Sequence, residues 1–264
     1  MVNVEMRRNR QEFIYGFGFT VWKTGGEVME LPADYMKNGV AFKQRDLAVA
    51  DEEVSYGICV GLSAEWVARH KKYKSEGSAK RIAFIKSQAP SAIARQKAYL
   101  SVLTKSRSSA FSGQTTELDA ALAFAESGMS ANLADSTRFM RAAADECLHP
   151  LYTHTGGHNN YFLILLSFGK DNHCIAAYHS SGKLFGYGSH LYVFEPNFGE
   201  IKIAASETAV KGFFKALAEA YRTYADKDNV VDPKILDRVT VVRLSETFAA
   251  PTRARAQAIT GKAA

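Results

Sequence analysis

Cys59 is the side chain of this 264-residue sequence best placed for nucleophilic chemistry. It follows Gly57 in the stretch YGICVGLSAEW. Leu62, Trp66 and Val67 recur behind it at the spacing of one helix face, which predicts that a helix begins at the cysteine. Unpaired N–H groups and the helix dipole at such a position stabilise a thiolate, the reactive form of a cysteine. The same pattern also fits a buried cysteine that packs as a small apolar residue, so other parts of the chain must decide.

A thiol nucleophile needs a base, and the chain has seven histidines. His173 opens a predicted strand directly after a turn, and His179 lies on the same face of that strand as the second candidate. His70 falls in a basic run and is expected in solvent. His154 and His158 form an HxxxH pair, but the two glycines between them argue against a helix and no third metal ligand is evident. His173 is therefore the candidate base, and no metal is expected.

The base must in turn be oriented by a carboxylate or an amide. Glu195 ends the apolar strand HLYVFE, where Pro196 stops the hydrogen-bond ladder because it has no N–H and NFG turns the chain. A carboxylate at this strand end would lie beside the strand of His173. Asn197, two residues on, is the alternative orienting residue, and a Glu195 that only caps the turn is the competing interpretation.

The elements that must position these residues change in type along the chain. Helical patterns occupy residues 59–148, and strand patterns take over after Pro150. The further predicted helices are 79–103, 115–127, 133–148 and one that begins after Ser206 with Tyr221 in its apolar stripe. The predicted strands are 161–168, 173–180, 190–196, 199–205 and 238–244. Short loops between consecutive strands imply antiparallel pairing, so the expected class is α+β.

Composition narrows the classes of protein that the chain could be. Three cysteines without metal-type spacing predict free thiols and no disulfide framework. The net charge of +6 accompanies no nucleic-acid motif, so no nucleic-acid partner is expected. The longest apolar run, YFLILLSF, is far shorter than the ~20 residues of a membrane span, and no signal peptide follows the MRRNR segment. Any export is therefore expected to proceed without a cleaved signal.

Three segments taken together resemble the signature of the YopT/AvrPphB family of bacterial effector cysteine proteases: GICVGLSAEW, HCIAAYHSSGKL and YVFEPNFGEI, in this order. The resemblance covers about residues 59–67 and 161–225. It implies a papain-like fold, with Cys59 as nucleophile, His173 as general base and acid, and Glu195 as the orienting carboxylate where the family has an aspartate. The N–H of Cys59 would form part of an oxyanion hole, and Gln44 is the nearest upstream amide that could complete it.

The resemblance also implies a function and a division of the chain. We expect a cysteine endopeptidase without a cofactor, delivered as a bacterial effector or toxin to act on a protein of a host or target cell. The catalytic domain is expected at 31–249, after an irregular segment 1–30 and before a disordered tail 250–264. A deamidase or acyltransferase of the same fold is the first alternative. A catalytically inactive binding module is the second, because Glu195 adds one methylene to the arm that must reach the imidazole.

Overall fold

The computed structural model describes residues 30–47, 54, 57–106, 114–131, 148–153, 160–168, 171–182, 188–227, 236 and 238–246. The helices of this part are α1 (Ala33–Met36), α2 (Cys59–Lys72), α3 (Ser78–Ser87), α4 (Ala89–Ser106), α5 (Gln114–Phe124) and α6 (Glu207–Lys227), with 3₁₀ turns at Gln44–Leu47 and His149–Leu151. The strands are β1 (Val40–Ala41), β2 (Met129–Ser130), β3 (Asn160–Phe168), β4 (Asp171–His179), β5 (His190–Glu195), β6 (Gly199–Ala204) and β7 (Arg238–Glu246).

The seven strands of the described part form one antiparallel sheet in the order β1-β6-β5-β4-β3-β7-β2. Strands β3 to β6 are neighbours in both sequence and space, as their short connections predict. Helices that precede an antiparallel sheet make the fold α+β, so that prediction is confirmed. The five predicted strands are all present, within two residues at each end.

The sheet separates two hydrophobic cores. On β4, Cys174 and Ala176 face the core that contains α2, whereas Ile175 and Ala177 face the core that contains α6. The alternation follows from the two-residue period of a strand. Strand β3 is buried on both faces, which explains why its sequence reads as a continuous apolar run with no polar alternation. Each helix layer can therefore bring side chains to one end of the sheet from its own side.

Helix α2 is held close to α4 by a glycine. A Cβ atom on Gly61 would lie 2.0 Å from the carbonyl oxygen of Ala92, so only glycine allows this approach. The N–H of Gly61, in the first turn of α2, donates to Oε1 of Gln96 at 3.0 Å. That bond satisfies one of the helix N–H groups that has no acceptor within the helix itself. The start of α2 is thus fixed by packing and by a hydrogen bond from α4.

A buried ion pair ties the helical layer to strand β6. Glu200 accepts hydrogen bonds from Nε and Nη2 of Arg81 at 2.7 and 2.8 Å. It also accepts from Nε1 of Trp66 at 2.7 Å and from the hydroxyl of Ser78 at 2.6 Å. Burial disfavours the carboxylate, but Arg81 and the other donors outweigh it and lower the pKa of Glu200. The charge is well satisfied, as a buried ion pair requires.

Several expectations differ from the structure or lie outside it. The helix predicted over 79–103 is two helices, which meet at Gln88. The predicted helix 133–148 lies outside the described residues apart from its last residue, and so do the tail 250–264 and nearly all of the segment 1–30. The proposed domain limits therefore stay a prediction. Among the helices that the structure describes, none is long and apolar enough to cross a membrane.

Candidate active site

The candidate nucleophile stands at the first residue of helix α2. Gly57 has a φ of +117°, a left-handed conformation that glycine adopts without the strain of a side chain, and it turns the chain into the helix. Ile58 is the N-cap residue and makes no side-chain capping bond. Cys59 follows and is buried, with 2% of its surface exposed. Its thiol is therefore held at the helix N-terminus, as the sequence predicted.

His173 lies near the start of β4 and contacts both of the other candidate residues. Its Nε2 atom is in close contact with Oε1 of Glu195. The Cys59 side chain hydrogen-bonds the same ring, and since Nε2 faces Glu195, Nδ1 is the atom left for the thiol. Burial lowers the pKa of His173, but the charge of Glu195 and the bond to Cys59 outweigh it and raise that pKa to about 10. The site therefore favours an imidazolium.

Glu195 is fully buried at the end of β5, and both of its oxygens have donors. Oε1 accepts from the hydroxyl of Tyr221 at 2.8 Å, in addition to its contact with His173. Oε2 accepts from the backbone N–H of Asn197 at 2.8 Å. A buried carboxylate needs such donors because it has lost its hydration. The turn that follows Pro196 supplies one of these donors, so Glu195 is oriented by its own loop and by helix α6.

A polar chain continues from Glu195 to Gln44. The Nδ2 group of Asn197 donates to the Tyr221 hydroxyl at 3.0 Å, and Nε2 of Gln44 donates to Oδ1 of Asn197 at 2.8 Å. The backbone N–H of Gln44 also donates to the carbonyl of Pro196 at 2.7 Å. Oε1 of Gln44 is buried without a hydrogen-bond partner among the described residues. A Cβ added at Gly57 would lie 3.8 Å from this atom, so the amide is close to the turn before Cys59.

The structure does not bring His179, the second candidate base, to this site. His179 lies six residues further along β4, roughly 20 Å from His173 at about 3.3 Å per residue. His154 and His158 lie outside the described residues. Within the described part of the chain, no group of three or more His, Cys, Asp or Glu side chains could hold a metal ion.

His70 is buried, and its expected position in solvent is wrong. Its ring packs against Trp66, Tyr178 and Tyr192, and its Nδ1 is 2.9 Å from the hydroxyl of Tyr161. Burial lowers the pKa of His70 to about 3, so the ring is neutral. The basic residues around His70 in the sequence suggested an exposed segment. In the structure the helix directs His70 toward the sheet, whereas Lys72 and Lys74 are exposed.

Cys174 is a second free thiol near the site, but it is not a nucleophile. It is completely buried on the α2 side of β4. Burial and the neighbouring Cys59 raise its pKa well above the usual range, so it stays protonated. The third cysteine, Cys147, lies outside the described residues. Among the two described thiols, only Cys59 contacts an imidazole that can accept its proton.

Sequence reasoning missed the hydroxyl of Tyr221 as part of the site. The residue occupies the predicted apolar stripe of α6 and is 1% exposed, so the spacing indicated only a core residue. The sequence indicates Asn197 only as an alternative to Glu195, whereas in the structure its side chain bonds Tyr221 and Gln44. Neither contact has a signal in the local sequence, because each joins residues far apart in the chain.

A thiol, an imidazole and a carboxylate in this order can perform nucleophilic attack on a carbonyl group. The imidazole accepts the thiol proton, and the carboxylate holds the ring and stabilises its positive charge. No part of this arrangement requires a metal ligand or a cofactor. The chemistry it supports is acyl transfer through a thioester.

Comparison with known proteins agrees with this geometry. A family model for cysteine peptidases of family C58, described as Yersinia/Haemophilus virulence surface antigen, matches residues 22–229. The crystal structure of the Pseudomonas avirulence protein AvrPphB is similar, with a TM-score of 0.51 and 21% identity over 77% of this chain and 100% of that chain. A comparison with curated proteins found no significant match. The structural likeness shows the fold, and the prediction of a papain-like fold is confirmed.

Proposed function

The chain belongs to the Yersinia/Haemophilus virulence surface antigen family of cysteine peptidases and is a cysteine protease, and we propose that Cys59, His173 and Glu195 are its catalytic residues. One observation carries this assignment: the His173 ring contacts the Cys59 side chain and the Glu195 carboxylate at the same time. Such a double contact makes His173 able to take the thiol proton while keeping one tautomer.

The reaction follows from these contacts in two steps. His173 takes the proton of Cys59, and the sulfur attacks the scissile carbonyl carbon to give a tetrahedral oxyanion. His173 then returns the proton to the leaving amine, the C–N bond breaks, and a thioester remains. In the second step His173 deprotonates a water molecule that attacks the thioester, and the proton passes back to the sulfur as the acid product leaves.

We assign the oxyanion to two donors, one from the start of α2 and one from the Gln44 side chain close to the turn before it. The backbone N–H of Cys59 belongs to the first turn of α2 and has no acceptor within the helix. Gln44 carries two N–H donors on Nε2, of which one is used by Asn197 and the other is available to the oxyanion. Removal of one such donor typically costs about 10² to 10³ in turnover. Gln44→Ala is expected to fall in this range.

N-terminal proteomics on a target-cell lysate tests the proposed catalytic residues. New protein N-termini are expected with the wild-type enzyme and not with Cys59→Ala. Cys174→Ala is the matched control, because it removes a buried thiol that has no imidazole partner, and it should give the wild-type fragments. Equal cleavage by Cys59→Ala would refute the assignment. Intact targets heavier by about one mass unit would instead indicate deamidation, in which the NH₂ group of a side-chain amide is replaced by OH.

We further propose that the enzyme is delivered into a host or target cell and that its substrate is a protein there. The description of the family as a virulence antigen supports this step. A translocation reporter fused to the chain tests it, with a signal expected inside the contacted target cells. A reporter that stays within the producing bacteria would contradict the proposal.

A further inference from the structure

Tyr221 presents its hydroxyl to the site from a rigid position. Its ring is completely packed, with ring centres 4.8 Å from Phe168, 6.0 Å from Phe198 and 5.7 Å from His173. Burial, and then the charge of Glu195, raise the pKa of Tyr221 well above its usual range, so the hydroxyl keeps its proton. This proton points at Oε1 of Glu195, the same oxygen that His173 contacts.

The negative charge of Glu195 sets the direction of every hydrogen bond that follows. A carboxylate can only accept, so Tyr221 must donate its single proton to it. The phenol oxygen is then left as an acceptor, and Asn197 must offer it Nδ2. That choice turns Oδ1 of Asn197 toward Gln44, so Gln44 must present Nε2 and not Oε1. Three successive hydrogen bonds therefore link the charge of Glu195 to Gln44, and this charge determines the orientation of the Gln44 amide.

We propose that Tyr221 and Asn197 are positioning residues that couple the two halves of the active site: the Tyr221 hydroxyl holds Glu195 against His173, and the Asn197 side chain fixes the Gln44 amide so that Nε2 can serve the oxyanion. The proposal rests on the catalytic assignment made above. It also gives the glutamate a physical support, because the Tyr221 hydroxyl restrains the additional torsion that a glutamate has over an aspartate. A Gln44 amide turned the other way would bring its oxygen against Oδ1 of Asn197, two acceptors with no proton between them.

Two chemical probes separate the halves of the site without a known substrate. Alkylation of Cys59 by iodoacetamide is a direct displacement with no oxyanion, so its rate reports on the thiol, His173 and Glu195. Acylation by p-nitrophenyl acetate passes through a tetrahedral oxyanion, so its rate also depends on Gln44. Stopped-flow acylation and mass-spectrometric alkylation at pH 7 give both rates for each variant.

Asn197→Ala is the deciding variant. It keeps the backbone N–H that bonds Glu195 and removes only the side chain that links Tyr221 to Gln44. We expect its alkylation rate to stay within about twofold of wild type while its acylation rate falls about tenfold, less than the roughly 10² to 10³ that complete removal of an oxyanion donor costs, because Gln44 is still present. Tyr221→Phe keeps the ring and should lower both rates. Thermal melting confirms folding, and Asn197→Ser is the substitute if the alanine variant unfolds.

The matched control for the hydroxyl is Tyr161→Phe. Tyr161 is a buried tyrosine whose hydroxyl also bonds a histidine, but in the α2 core away from Glu195, and both rates should stay at wild type. Equal falls of both rates in Asn197→Ala, or wild-type rates in Tyr221→Phe, would overturn the coupling. Cys59→Ala should lose the acylation entirely. If it is still acylated at the wild-type rate, the catalytic assignment itself fails, and that failure is separate from failure of the coupling.

Discussion

Replacing Glu195 by glutamine should inactivate the enzyme through the tautomer of His173. The backbone N–H of Asn197 can only donate, so it holds the amide oxygen at the position of Oε2. The amide nitrogen then takes the position of Oε1 and donates toward Nε2 of His173. Nε2 must accept, and the ring proton moves to Nδ1, which faces Cys59. An imidazole in this tautomer cannot take the thiol proton.

The size of the effect on activity and stability follows from three separate losses. The wrong tautomer in a triad of this kind lowers turnover by about 10⁴. The charge of Glu195 is also removed, so burial prevails and the pKa of His173 falls below about 10. The hydroxyl proton of Tyr221 loses its carboxylate acceptor, and one unsatisfied buried donor costs about 1 to 3 kcal/mol of unfolding free energy. Loss of activity should therefore greatly exceed loss of stability.

Three measurements check this account. Acylation by p-nitrophenyl acetate gives the rate, urea unfolding gives the stability, and ¹⁵N NMR of the His173 ring reports which nitrogen carries the proton. Glu195→Asp keeps the charge and is the control, with Nε2 expected to remain protonated. A Glu195→Gln enzyme that acylates within tenfold of wild type would contradict the proposed change of tautomer, and so would a ring whose proton remains on Nε2.

Three further substitutions test the supporting structure. Burial lowers the pKa of His70 to about 3 in the folded protein, so the unfolded chain binds more protons between pH 6.5 and 3. The free energy of unfolding should therefore decrease as the pH is lowered through that window, by at most about 1.4 kcal/mol per pH unit. His70→Gln should flatten this slope in urea unfolding. Gly61→Ala should force α2 away from the carbonyl of Ala92 and cost about 1 to 3 kcal/mol, with slower acylation of Cys59. Arg81→Ala should cost about 3 to 5 kcal/mol in thermal or urea unfolding, because it leaves the buried charge of Glu200 without its cationic partner.

Each of these substitutions has a control or a contradicting result. Gly77→Ala is the matched glycine control, since a Cβ there meets nothing within 4 Å, and Gly61→Ala should be much more harmful. An unchanged pH slope in His70→Gln would show that other groups control acid unfolding. Adding Glu200→Gln to Arg81→Ala should recover part of the lost stability, and a further loss would contradict the account of an unpaired charge.

Much of the fold could be predicted because its signals are local. The start of α2 at Cys59 and the end of β5 at Glu195 follow from periodicity and from the turn residues beside them. The strands β1 and β2 could not be predicted, since two residues carry no period and their pairing partners lie far away in sequence. The break of the long helix at Gln88 did have a local signal, because Pro90 lies in the first turn of the second helix, where a proline is tolerated, and would break the interior of one continuous helix.

Local sequence signals show which residue types stand at the ends of which elements, and these signals are enough to select Cys59, His173 and Glu195 as candidates. How the three side chains meet depends on the packing of elements that are distant in the chain. Cys59 belongs to the core on the α2 side of the sheet, while His173 and Glu195 share the strand faces that look toward α6. They come together at one end of the sheet, and Tyr221 and Gln44 reach them from separate elements. Such contacts depend on non-local packing and hydrogen-bond direction, which leave no periodic trace in the chain.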